Sequence, residues 1–323
     1  MRLSCAFAPG LATPDHIACA ERLGYARAWV FDSPNLFHDC WSTLARAADR
    51  TDTIGLATGV AVVGLRHVVV TASALLGLEA LAPGRVVFGL GAGGTAARTL
   101  GRPGARWTDI HRYAVAVRDL VRGDTIEWDD TAVQLMHPDL MGSPRGVEIP
   151  IVFGVGGPRG EKVARACGDG VFTVRDGSGA GFDWHCRLVS GTILEEDEDE
   201  TSARIQGTAG PGAGLVYHQA YVSGNRALLD RLPGGAEMAA EFDALPEERR
   251  VAAIWDGHLA QLSDRDRRYI TPAAAAALTS TGRPDAVRRR VEALAEQGVT
   301  EIVYQPCGPD IPRELTAFAA ALA

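Results

Sequence analysis

Short apolar runs closed by turn residues alternate with helix-period segments along nearly all of this 323-residue chain, and that alternation limits the fold more than any single motif. Strands are expected at residues 3–8, 28–32, 54–60, 86–90, 149–155, 170–174, 215–221 and 301–305. Helical spacing marks residues 13–24, 40–50, 66–81, 107–122, 158–167, roughly 225–268, 283–297 and 313–322. Thr13 reads as the N-cap of the first helix, with Pro14 at its first position. Eight strands separated by helices predict an α/β fold of the (β/α)8 barrel type. No Pro/Ser-rich linker interrupts residues 1–323, so a single barrel domain with a helical insertion at about 225–277 is expected. Surplus length follows strands four, six and seven, at residues 124–148, 175–214 and 225–277. Barrel active sites are built on that side of the sheet.

Two glycine-rich turns invite a cofactor. The first, VVFGLGAGGT at residues 86–95, satisfies G-x-G-x-x-G through Gly89, Gly91 and Gly94. A dinucleotide fold would then require a second strand ending in an acidic residue about 20 positions on. Residues 110–123, IHRYAVAVRDLVRG, instead carry apolar residues at helical spacing. The fingerprint is therefore read as coincidence, and the stretch as the fourth barrel strand with its glycine loop. The second turn, PIVFGVGGPRG at residues 150–160, sets Gly156 and Gly157 before Pro158, which suits a first helical turn. Free N–H groups of Gly160, Glu161 and their neighbours would face the strand ends and bind a phosphate, with Arg159 or Lys162 adding charge.

Composition removes other classes. A formal charge of −8 and a pI near 5.5 argue against a nucleic-acid partner. Six scattered cysteines without a C-x-x-C pair point to reduced thiols rather than a disulfide or zinc framework. No signal-like start and no apolar window of about 18 residues occur, so a cytoplasmic protein without a membrane span is expected. The acidic run at residues 195–200, EEDEDE, reads as a solvated loop; without histidine or spaced turn glycines it offers no metal geometry.

Residues 55–94, 150–173 and 281–310, in that order and spacing, resemble the luciferase-like monooxygenase superfamily, and within it the coenzyme F420-dependent branch. The resemblance implies a (β/α)8 barrel, commonly a homodimer, that binds a flavin or deazaflavin at the C-terminal ends of its strands. By position it places Asp32 on the cofactor side of the pocket. It aligns Gly59 and Val60 with a non-prolyl cis peptide behind the ring. Gly91, Gly93 and Gly94 would line the pocket near the ring, Gly156 and Gly157 would hold the phosphate, and Thr173 would add a contact. Two positions depart from the pattern. Ser33 stands where alcohol-oxidising relatives carry histidine, and Gly94 stands where relatives carry an acid. Three readings follow: an F420-dependent oxidoreductase moving a hydride to or from a small organic substrate, an FMN-dependent monooxygenase using O2, or a flavin-binding relative without activity.

With both usual acid–base positions altered, a proton donor must come from elsewhere, and histidine is the usual group. His38, between Phe37 and Trp41 in the loop after strand two, is a candidate catalytic residue or pocket wall. His218, in the expected strand seven, is the second candidate; strand alternation directs it either into the pocket or under a helix. His67 and Arg66 begin the helix after strand three, where Arg66 is free to face an anion. Trp255, Asp256 and His258 fall in the long insertion, as a lid or as a helix packed on the rim.

Overall fold

The computed structural model describes residues 1–323. Eight parallel strands close into a barrel: β1 (Arg2–Phe7), β2 (Arg27–Val30), β3 (Gly55–Thr58), β4 (Val86–Gly91), β5 (Ile151–Gly154), β6 (Gly170–Thr173), β7 (His185–Ser190) and β8 (Glu301–Gln305). Each pairs with the next in chain order, and β8 returns to β1. The registers are in step: Ala28 lies beside Cys5 and Leu56, and Phe153 beside Leu90 and Val171. A two-residue extension of β3, Ala61–Val62, pairs with the end of β4. All six residues of β4 are buried, as a parallel strand covered on both faces requires.

The chain divides into two compact units. The first holds residues 1–188 and 297–303, the second residues 189–296 and 304–323. In the first, helices α1 (Thr13–Arg22), α2 (Cys40–Ala48), α3 (Val68–Leu81), α4 (Gly94–Thr99), α5 (Trp107–Arg122) and α6 (Pro158–Cys167) alternate with strands. In α5, Ile110, Tyr113, Ala114, Val117, Leu120 and Val121 are buried, the face that rules out a second dinucleotide-type strand. Thr13 is not the cap of α1. The cap is Ala12, and the Thr13 hydroxyl accepts the Gly10 N–H at 2.9 Å. The insertion after β4 contains an antiparallel hairpin, Ile126–Trp128 with Thr131–Val133, turned through Asp129 and Asp130 at φ 50° and 60°.

The opposite end of the barrel carries a charged plug. Glu301 is fully buried and accepts hydrogen bonds from Ser4 Oγ (2.7 Å), Arg27 Nη1 (2.7 Å), Trp29 Nε1 (3.3 Å) and Trp184 Nε1 (2.9 Å). Burial pushes its carboxyl up, but Arg27 and these donors hold it below the usual carboxylate range.

The second unit is helical: α7 (Ala203–Thr208), α8 (Gly210–Val222), α9 (Arg226–Leu229), α10 (Gly235–Asp243), α11 (Glu247–Ile254), α12 (Asp266–Tyr269), α13 (Pro272–Leu278), α14 (Pro284–Glu296) and α15 (Ile311–Leu322). Tyr304 stacks on Phe318 with ring centroids 3.8 Å apart. The acidic run stays largely exposed, but Glu195 and Glu198 are ion-paired with Arg313 and Arg204. No helix is long and apolar enough to cross a membrane.

One strand lies elsewhere than expected. Residues 215–221 form part of α8, and the seventh strand is β7, inside the stretch read as an insertion after strand six. A short apolar run cannot be told from a buried helix by periodicity alone, and α8 is buried over most of its length. Its glycines bring it close to β7: a Cβ on Gly212 would lie 1.9 Å from Ser190 Oγ. No helix joins β6 to β7; residues 174–184 form the connection.

Candidate functional site

At the C-terminal ends of β2–β5 the glycines divide into two kinds. The Gly59–Val60 peptide is cis, at the position the resemblance indicated. The Val60 side chain then turns onto β4 and β5: a Cβ on Gly91 would lie 2.6 Å from Val60 Cγ2, and one on Gly154 3.1 Å from it. Gly93, at φ +68°, is the left-handed N-cap of α4, and a Cβ there would lie 2.1 Å from Val62 Cγ1. The space that side chains at positions 91 and 93 would take is filled by Val60 and Val62.

Gly94, Gly156 and Gly157 are of the other kind. The nearest atom to a Cβ on Gly94 would be Arg98 Nη1, 3.7 Å away; for Gly156 it would be Arg175 Nη2, at 3.5 Å; for Gly157 nothing lies within 4 Å. Pro158 opens α6 directly after this turn. The Gly160 and Glu161 N–H groups do not face outward as expected, because both donate to the Gly157 carbonyl (3.1 and 3.2 Å). The Gly156 and Gly157 N–H groups make no backbone hydrogen bond, and Arg175 Nη2 donates to the Gly156 carbonyl at 3.2 Å. Open room, unengaged N–H groups, a helix N-terminus and a guanidinium together fit an anionic group.

Asp32 follows β2 and is buried, at 3% exposure. Its Oδ2 accepts Arg66 Nη1 at 2.6 Å and the Val62 N–H at 3.3 Å; Oδ1 is buried with no hydrogen-bond partner. The Cys40 thiol lies against this carboxylate, and burial, followed by the Asp32 charge, pushes its pKa well up. Arg66 is not free for an anion, because its second nitrogen meets Asp39 Oδ2 at 2.9 Å. Asp39 also caps α2, accepting the Ser42 N–H at 2.8 Å. Burial opposes ionisation of Asp39, but Ser42 and Arg66 prevail and hold its carboxyl below the usual range. His67 caps α3, its Nδ1 accepting the Val69 N–H at 3.3 Å.

His38 is exposed in the loop between β2 and α2, with its backbone N–H donating to the Pro9 carbonyl at 3.3 Å. Thr173 ends β6, the strand paired with β5, and its hydroxyl is 2.9 Å from His185 Nε2. His218 is not a strand residue. It is buried on α8 in the second unit, with Nε2 3.2 Å from Asp266 Oδ1 and its ring against Phe242 and Trp255. His258 packs against Trp255 at 4.7 Å; burial, then repulsion from His218, pushes its pKa down to about 3.

A closed parallel barrel with helices around it and a glycine-rich turn at its strand ends defines an α/β barrel of the (β/α)8 kind. The luciferase-like monooxygenase family profile matches residues 12–301, and the chain belongs to that family. It is 24% identical over 310 residues to the 5,10-methylenetetrahydromethanopterin reductase of Methanolobus tindarius, covering 94% of this chain and 92% of that one. It is 26% identical over 337 residues to the F420-dependent glucose-6-phosphate dehydrogenase of Kineococcus radiotolerans, covering 97% and 92%. The solved coenzyme F420-dependent tetrahydromethanopterin reductase of Methanopyrus kandleri superposes with a TM-score of 0.67 at 19% identity, over 98% of this chain and 97% of that one.

Proposed function

We propose that this chain is an F420-dependent oxidoreductase that moves a hydride between the deazaflavin and a small organic substrate. The observation that carries the proposal is the turn between β5 and α6, where Arg175 reaches Gly156 and Gly157 leaves open room for an anionic group. Full-length similarity to relatives named for F420 supports the same reading. Bound F420 supplies or takes up the hydride. The Gly156–Gly157 turn and Arg175 would hold its anionic end, and Val60, which follows β3, would back the ring. Asp32 is held in place through Oδ2, which accepts from Arg66 and Val62. His38, exposed on the loop between β2 and α2, would supply the proton from its imidazole.

Titration of the purified protein with F420, followed by fluorescence, tests this directly, with FMN run in parallel. Micromolar binding of F420 and its redox turnover are expected. Tight FMN binding with O2 uptake, or F420 binding with no turnover across a broad substrate panel, would each overturn the proposal.

A further inference from the structure

We infer that Arg66 is a positioning residue: one guanidinium ties together both ends of the β2–α2 loop and so fixes where His38 stands. The inference rests on the reading of His38 as proton donor. Asp32 begins the loop and Asp39 ends it, and Arg66 reaches the first through Nη1 (2.6 Å) and the second through Nη2 (2.9 Å). The backbone of Arg66 is itself anchored. Tyr113 OH donates to the Arg66 carbonyl at 3.0 Å and lies 2.6 Å from Thr71 Oγ1 on α3. Inside the loop, the Leu36 and Phe37 N–H groups both donate to the Ser33 carbonyl, so the clamp holds a turn rather than a slack chain. The planar fork gives each carboxylate its own nitrogen; a lysine ammonium presents one point of charge. The clamp also joins the loop after β2 to the segment after the Gly59–Val60 bond, so two separate strand ends share one geometry.

Amide hydrogen exchange on the full-length protein tests this in Arg66→Ala, Arg66→Lys and Asp39→Asn, with the His38 ring resonances recorded alongside and assigned through His38→Asn. In Arg66→Ala the amides of residues 35–38 should exchange about tenfold faster, while those of β4 stay unchanged. Arg66→Lys should recover part of the protection, and added guanidinium ion should restore it in Arg66→Ala where sodium chloride does not. Asp39→Asn keeps a good N-cap on α2 and should give a smaller increase confined to the same loop. It carries the test should Arg66→Ala not fold. In both variants the His38 ring signals should move or broaden. The inference is overturned if loop exchange and His38 signals match the wild type in the variants, if exchange rises equally in β4, or if guanidinium restores nothing. Failure of the wild type to bind F420 would overturn the functional proposal alone, because none of these readouts uses the cofactor.

Discussion

Arg66 Nη1 lies 2.6 Å from Asp32 Oδ2, a carboxylate only 1% exposed. The acid that follows β2 is therefore held in an internal ion pair through Oδ2. Asp32→Asn removes one partner of a buried ion pair and should lower the unfolding free energy by about 3 kcal/mol. Urea denaturation measures that loss. His38→Asn, on an exposed loop, should leave the urea midpoint in place and lower turnover by about a hundredfold or more. A variant that kept full turnover would remove His38 from the mechanism.

The two kinds of glycine should separate stability from binding. Gly91→Ala puts a Cβ 2.6 Å from Val60 Cγ2, a contact that Val60 must move to relieve. A loss of about 1–3 kcal/mol is expected, with or without ligand. Gly157→Ala meets no atom within 4 Å, so the thermal midpoint of the free protein should hold while F420 affinity falls. Equal destabilisation by both changes would contradict the division.

Glu301 links acid stability to the barrel plug. Its carboxyl titrates lower in the folded protein than in the unfolded chain. The stabilisation it brings is present above the ordinary carboxylate pKa of about 4.3 and is lost as pH falls through the lower folded value. Glu301→Gln should destabilise the protein at pH 7 by about 3–5 kcal/mol, since Arg27 loses its buried partner. Its urea midpoint should also depend less on pH below about 4.3 than that of the wild type. Parallel pH profiles for the two proteins would refute this.

His258 should make the second unit acid-sensitive at higher pH. Its folded pKa of about 3 lies below the ordinary 6.5, so the neutral ring is the form that fits. Stability is complete above 6.5 and is lost as pH falls from there toward about 3, at about 1.4 kcal/mol per pH unit. His258→Phe should flatten that slope in thermal melts monitored between pH 7 and 4.

The barrel was legible because each βα unit carries its own local signature. An apolar run feeds a turn and then an amphipathic helix, and α5 alone is enough to dismiss the dinucleotide fingerprint. Residues 215–221 mislead because α8 is buried on most sides and loses the polar stripe that marks a helix, while β7 is one short strand between polar connections. The clamp and the plug are invisible for another reason. Arg66 is 27 positions from Asp39 and 34 from Asp32, and Glu301 is 274 from Arg27. Such pairs are set by the closure of the barrel, and nothing in the local sequence announces which distant carboxylate a given arginine will meet.

The stretch VVFGLGAGGT has one more consequence, for how this protein can change. Positions 91 and 93 are closed to any side chain by Val60 and Val62, so drift there is coupled to a matching change across the strand. Position 94 is exposed, with its nearest neighbour the end of a flexible arginine. Within this loop, then, new chemistry has one sterically open door, and Gly94 is the residue through which a single mutation could bring an acid to the rim without disturbing the barrel beneath it.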